Sequence, residues 1–311
     1  MKRICVIGGG GFIGKYVLRR LSETGRQITV VGRNLVSPFD QSVHYFAYTG
    51  SNWEMFEEVL SQQDEVIELS YSSTPKTSFD DPLKDIYENL AFSVKLYDVL
   101  IRCGIKKVLF VSSGGTIYGH ARYTPIDEEH MTNPVSPYGI TKLAIEKYGL
   151  MYHSTSALPI VIVRPGNAYG PGQKPDSGQG FISTAIGSIL TGKDVIVYGK
   201  TGTVRDYIFV DDVAAGIIGA LEHGVLGECY NIGSRVGVSN IEVLEMLRSQ
   251  MSGSRFRINI DERPVRTYDV KKNILDSDKL DRLCGWKPVV GIGEGLERTT
   301  VWMKKYLQII D

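Results

Sequence analysis

The stretch Gly8-Gly9-Gly10-Gly11-Phe12-Ile13-Gly14 constrains this chain more than any other. It follows the apolar run Arg3-Ile4-Cys5-Val6-Ile7 and precedes Val17, Leu18 and Leu21 at helical spacing, so it reads as the loop of a strand–loop–helix unit. Gly8, Gly11 and Gly14 stand at GxxGxxG spacing. Glycines there permit a tight turn, let backbone amides approach a pyrophosphate, and let the helix pack closely on the strand. The spacing predicts a dinucleotide site at the first helix N-terminus. Thr24-Gly25 marks where that helix stops, because glycine suits the left-handed position after a helix.

Runs rich in Val and Ile recur at 27–31, 64–69, 106–113 and 159–164, separated by segments of helical period. This alternation predicts an α/β Rossmann fold, a doubly wound parallel sheet with helices on both faces. Beyond residue 165 glycine and proline become dense and the elements shorten, which predicts a smaller C-terminal substrate-binding lobe. The expected division is 1–165 plus about 205–225 for the dinucleotide-binding domain, and 166–204 plus about 226–311 for the substrate lobe.

Lys+Arg and Asp+Glu both number 35, so no overall field draws the molecule to nucleic acid or an anionic membrane. Anionic ligands must be held by local charge. The four cysteines, Cys5, Cys103, Cys229 and Cys284, form no CxxC or His/Cys cluster, which predicts neither a metal site nor a disulfide framework and fits a reducing cytoplasm. No apolar run approaches a membrane span, and the N-terminus reads as a first strand rather than a signal peptide.

A dinucleotide fold that prefers NAD usually places Asp or Glu after the second strand, where it accepts hydrogen bonds from the adenosine ribose. Gly32-Arg33-Asn34 stands there instead. An arginine without that carboxylate suits a ribose 2′-phosphate, so NAD and NADP are both open; Arg33 also reads as a solvated loop residue or a stack for adenine.

Ser136-Pro137-Tyr138-Gly139-Ile140-Thr141-Lys142 supplies a helix cap in Ser136 and a first-turn proline in Pro137. Tyr138 and Lys142, at i and i+4, then share one helical face. A phenol is a poor base at neutral pH, but a nearby ammonium and the positive charge of an oxidised nicotinamide both favour phenolate. The pair predicts proton exchange with a hydroxyl while hydride moves.

Taken together, Gly8–Gly14, Ser112-Ser113-Gly114-Gly115-Thr116-Ile117-Tyr118-Gly119, the Tyr138/Lys142 segment, Arg164-Pro165-Gly166-Asn167-Ala168-Tyr169-Gly170-Pro171-Gly172, Arg205-Asp206-Tyr207 with Val210-Asp211-Asp212-Val213, and Gly285-Trp286-Lys287-Pro288 resemble the extended short-chain dehydrogenase/reductases. The resemblance is to the UDP-galactose 4-epimerase-like nucleotide-sugar enzymes, over nearly the whole chain. It implies a catalytic Tyr138 and Lys142 helped by a hydroxyl residue. The family position for that hydroxyl is Gly114 here, so Ser113 and Thr116 are the expected substitutes. It implies cofactor contacts from Gly8, Gly11, Phe12, Ile13, Gly14, Arg33, Asn34, Leu69, Asn89, Ser112, Tyr138, Lys142 and Pro165. Asn167, Arg205 and Arg266 match diphosphate positions, Asp269 a nucleoside-ribose position, and Tyr198 an aromatic beside the base. Thr49 departs from an aspartate common near adenine.

The resemblance implies a nucleotide-sugar substrate, a homodimer, and 4-epimerisation of a UDP-hexose or UDP-N-acetylhexosamine through a 4-keto intermediate. Rival readings are an NADPH-dependent reductase of a nucleotide-linked 4-keto-6-deoxy sugar and a non-catalytic dinucleotide-sensing protein. A 4,6-dehydratase is disfavoured, because the positions of its Asp-Glu pair hold Gly115 and Thr116.

Overall fold

The computed structural model describes residues 1–37, 39, 43–50, 52–176, 178–266 and 269–309. In chain order the strands are β1 (Arg3–Ile7), β2 (Gln27–Gly32), β3 (His44–Ala47), β4 (Glu65–Glu68), β5 (Lys107–Val111), β6 (Ile160–Pro165), β7 (Asn167–Tyr169), β8 (Val195–Tyr198), β9 (Val204–Phe209), β10 (Cys229–Ile232), β11 (Gly237–Ser239), β12 (Ile260–Arg263) and β13 (Lys272–Asn273). Seven of them form one sheet in the order β10-β6-β5-β4-β1-β2-β3, parallel throughout.

Successive residues of a strand face opposite sides, so a sheet covered on both sides needs apolar residues at every position. In β1, Ile4 and Val6 join one core while Cys5 and Ile7 join the other. The helices Phe12–Ser22 and Val210–His223 cover the first face through Val17, Leu21, Val213 and Ile217. The helices Trp53–Ser61, Ala91–Arg102 and Pro137–Ser156 cover the second through Phe56, Leu60, Leu96, Leu100 and Ile145. The chain winds outward from β1 to β3 and returns through β4 on the other side of β1. That reversal opens a crevice at the carboxyl ends of β1 and β4, the usual ligand position in such sheets.

The expected division needs two corrections. β10 was assigned to the substrate lobe, yet it pairs in parallel with β6 and extends the main sheet. β9 was assigned to the dinucleotide domain, yet it pairs with β7, β11 and β13 in a separate small sheet; within 205–225 only the following helix packs on the main sheet. The helices Phe181–Leu190, Asn240–Gln250 and Ile292–Tyr306 surround that small sheet with their own core, including Ile182, Ile186, Val243, Leu247, Leu296 and Met303. Among the described residues no helix is long and apolar enough to cross a membrane, and no cluster of three or more His, Cys, Asp or Glu side chains could hold a metal.

One buried ion pair ties the sheet to the helix that carries Tyr138. Arg164 of β6 donates to both carboxylate oxygens of Glu146, through Nε at 3.1 Å and Nη2 at 2.7 Å. Its Nη1 donates to the Tyr118 hydroxyl at 3.0 Å, which donates to Asn231 Oδ1 at 2.8 Å.

Candidate active site

The glycine loop has the form an anion site requires. Gly8 has φ +84°, and a Cβ there would lie 2.8 Å from the Ser70 amide nitrogen, so only glycine lets the loop rest on the end of β4. A Cβ on Gly14 would lie 2.6 Å from the Gly9 carbonyl oxygen, which accounts for the close start of the helix. Gly11 caps that helix without a side-chain acceptor, and its first turn holds no acidic residue. Its leading amides and positive dipole end therefore suit a pyrophosphate.

A cleft of about 440 Å³ runs from this helix to the second lobe. It is lined by Phe12, Ile13, Ser112, Ser113, Thr116, Tyr138 and Pro165 on the sheet side, and by Asn167, Arg205, Arg266 and Asp269 on the lobe side. Sequence reasoning named all eleven, and the fold brings them together. Among the described residues Asn167 Oδ1 and Ser112 Oγ are buried without hydrogen-bond partners, as polar atoms awaiting a ligand would be.

Ser136 accepts from the Gly139 amide at 3.1 Å and caps the helix, with Pro137 in its first turn as the sequence suggests. The Tyr138 amide donates to Ser78 Oγ at 3.1 Å, and its ring meets Tyr71 edge to face at 4.7 Å. Lys142 lies buried behind the cleft wall, its Nζ donating to the Val111 carbonyl at 2.8 Å and standing 6.0 Å from the Tyr138 ring centre. The expectation of a phenol made acidic by its neighbour is modified here. Burial, and then the Asp85 charge, raise the Tyr138 pKa above the ordinary phenol value, and the Ser113 hydroxyl opposes them by hydrogen bonding. Burial also depresses Lys142, against the carboxylates of Glu68, Glu146 and Asp85.

The missing family hydroxyl at Gly114 has a structural reason. A Cβ at 114 would lie 2.6 Å from a Leu275 methyl and 2.7 Å from the Arg164 carbonyl oxygen, so a side chain would point into the back wall. Ser113 and Thr116 both line the cleft, and Ser113 is the one that reaches the Tyr138 phenol.

On the lobe side Arg266 grips Asp269 with a two-pronged pair at 2.9 and 3.0 Å and stacks 3.9 Å over the Tyr198 ring. Arg205 is mostly buried, with Nη1 donating to the carbonyls of Val204 and Val270 at 3.0 and 2.7 Å. Burial draws its pKa below the usual arginine value. Tyr198, Lys142, Leu69, Arg33 and Asn34 do not line the cleft. Neither does Asn89, whose Oδ1 accepts from the Ser72 amide at 2.8 Å while its Nδ2 donates to the Asp85 carbonyl oxygen at 2.9 Å. It braces the loop after β4.

Sequence reasoning missed three groups here. Tyr71 sits with its ring 4.2 Å from Lys142 Nζ and donates its hydroxyl to Asp85 Oδ2 at 3.3 Å. Asp85 is itself buried. Glu68, 1 % exposed at the end of β4, accepts from Ser93 Oγ at 2.5 Å through one oxygen, and the other finds no hydrogen-bond partner among the described residues. Local sequence carries one signal, a glutamate set between Val66-Ile67 and Leu69 in a buried run.

Burial raises the Glu68 carboxyl from 4.5 to about 7, with Ser93 and Lys142 opposing. A raised carboxyl binds its proton more tightly in the folded chain, so its stability contribution is full below pH 4.5 and is lost as pH rises through about 7. Across that window the wild type should lose up to roughly 3 kcal/mol relative to Glu68→Gln, read from urea unfolding at each pH. Parallel stability curves for the two proteins would refute this.

Comparison with known proteins agrees with this geometry. Residues 4–233 match the model of the NAD dependent epimerase/dehydratase family. A putative UDP-glucose 4-epimerase of Methanocaldococcus jannaschii is 30% identical over 309 residues, covering 97% of this chain and 98% of its own. The crystal structure of Thermotoga maritima UDP-glucose 4-epimerase with UDP-glucose superposes with TM-score 0.90 at 32% identity, over 98% of this chain and 99% of that one. The Thermus thermophilus UDP-glucose 4-epimerase complex with NAD gives TM-score 0.88 at 30% identity, over 97% and 99%. With a glycine loop fit for pyrophosphate beside a Tyr/Lys pair, this chain belongs to the NAD dependent epimerase/dehydratase family, and its cofactor is a nicotinamide dinucleotide.

Proposed function

We propose that the protein is a nucleotide-sugar 4-epimerase, acting on a UDP-hexose or UDP-N-acetylhexosamine. The observation that carries this reading is that one cleft is lined by Tyr138 and Ser113 together with Phe12 and Ile13 of the first helix and with Arg205 and Arg266 of the second lobe. Gly8, Gly11 and Gly14 would hold the cofactor pyrophosphate, with Phe12, Ile13 and Pro165 beside it; bound and oxidised, the cofactor supplies a hydride acceptor. Arg205, Arg266 and Asn167 would hold the sugar nucleotide's diphosphate, since arginine forks match phosphate oxygens. Tyr138 takes the proton of the sugar 4-hydroxyl while the C4 hydrogen leaves with both bonding electrons, and Ser113 steadies the oxygen. C4 becomes a ketone. After the ketone turns over, Tyr138 returns the proton as hydride is restored to the opposite face, so no net oxidation results.

Purified protein should interconvert UDP-glucose with UDP-galactose, or the N-acetyl pair, in proton NMR spectra without net change in reduced-nicotinamide absorbance. Failure on every such sugar with either cofactor would falsify the proposal. Gly32-Arg33 favours one second reading, an NADPH-dependent reductase of a 4-keto-6-deoxy sugar nucleotide, for which absorbance falls mole for mole with substrate.

A further inference from the structure

We infer that the adenosine end of the dinucleotide site selects the 2′-phosphorylated cofactor, NADP(H), over NAD(H), with Arg33 holding the added phosphate. The inference goes beyond the proposed function: it rests on the dinucleotide site alone and does not depend on which sugar reacts or on whether the reaction is epimerisation or reduction. The Gly8 amide donates to the Val31 carbonyl at 2.9 Å, which fixes the end of β2 against the glycine loop. Residues 32–34 therefore follow directly beside the place where the pyrophosphate and its adenosine must pass.

Selection for NAD at this corner uses a carboxylate that accepts from both ribose hydroxyls and repels a phosphate. Gly32 closes β2, and the position after it holds Arg33 where that acid would stand. A Cβ on Gly32 would lie 2.6 Å from the Tyr45 hydroxyl and 3.1 Å from its ring. Tyr45 of β3 meets the Phe39 ring at 6.0 Å and donates its hydroxyl to the Asn34 carbonyl at 3.0 Å. Its hydrogen bond to Asn34 ties β3 to the bend that carries Arg33. Between Gln27 and Asn52 the only carboxylate in the sequence is Asp40, which lies outside the described residues.

Arg33 is exposed and makes no hydrogen bond or ion pair with the described residues. Arg19 and Arg20 of the first helix differ, since both are committed to Asp211. A planar fork beside a ribose, with no partner among the described residues and with an arginine in place of the acid after β2, matches a phosphate dianion and leaves a ribose diol without its usual acceptor.

The test uses fragments that lack nicotinamide, so only the adenosine end is read. By calorimetric titration at low salt, 2′-phospho-ADP-ribose should bind the full-length protein at least about tenfold more tightly than ADP-ribose, as one charge-assisted phosphate contact implies. Arg33→Ala should bring that ratio close to one, and Arg33→Lys should retain part of it. Added salt should shrink the wild-type ratio, because the contact is solvent-exposed. Equal or tighter binding of ADP-ribose, no binding of the phosphorylated fragment, or a ratio unchanged in Arg33→Ala would each overturn the inference. The sugar reaction is assayed separately with both cofactors, so either conclusion can fail while the other stands.

Discussion

Replacing Tyr138 by Phe should leave the protein folded and able to bind its nucleotide sugar while turnover falls by about 10²- to 10⁴-fold, the usual contribution of a positioned proton-transfer group. The substitution removes one oxygen. The edge-to-face contact with Tyr71 and the amide bond to Ser78 Oγ belong to the ring and the backbone, and Phe keeps both. A loss confined to kcat, with KM and melting temperature near wild type, would identify an interaction made as the proton moves. The phenol is held protonated by burial and by Asp85, so it begins as an acid and must be turned into a base once the cleft is filled. Turnover of wild-type size in the Phe variant would remove Tyr138 from the chemistry and favour a dinucleotide-binding protein without a reaction of this kind.

The dinucleotide loop and the Tyr/Lys helix were legible in the sequence because each is a local pattern with its own physical signature. β1 runs over Arg3–Ile7 as read, and Ser136, Pro137, Tyr138 and Lys142 hold the expected positions on one helix. The eleven cleft residues came from motifs that already encode a shared geometry. What escaped were relations that only packing creates. β3 is four residues with no run of Val or Ile, and it is recognisable only beside β2. β10 could not be assigned to a sheet from its own residues, since pairing with β6 depends on a crossover through the helix Val210–His223. Tyr71, Asp85 and Glu68 are scattered through the sequence and become a cluster around Lys142 only in the fold. The lack of room for a side chain at Gly114, which excludes a hydroxyl there, likewise comes from distant Leu275 and the Arg164 carbonyl.

The largest stability effect should follow Glu146→Ala. Glu146 is fully buried and Arg164 is 5 % exposed, so removing the carboxylate strands a guanidinium that cannot reach water and does not shed its proton. Breaking such a pair costs about 3–5 kcal/mol, a large share of the roughly 5–15 kcal/mol that holds a typical folded protein together. Urea unfolding should show the midpoint falling with an unchanged slope. The double variant Glu146→Leu with Arg164→Met separates the stranded charge from the loss of packing, because removing both ions together is often close to neutral. If both single and double variants lost the same amount, the cost would lie in shape and not in charge. Function is tied to this outcome through the helix itself. Tyr138, Lys142 and Glu146 follow at four-residue intervals, so the pair that anchors Glu146 to β6 also sets how far Tyr138 reaches into the cleft. Turnover in the double variant should therefore drop more than its stability, as a misplaced proton donor would require.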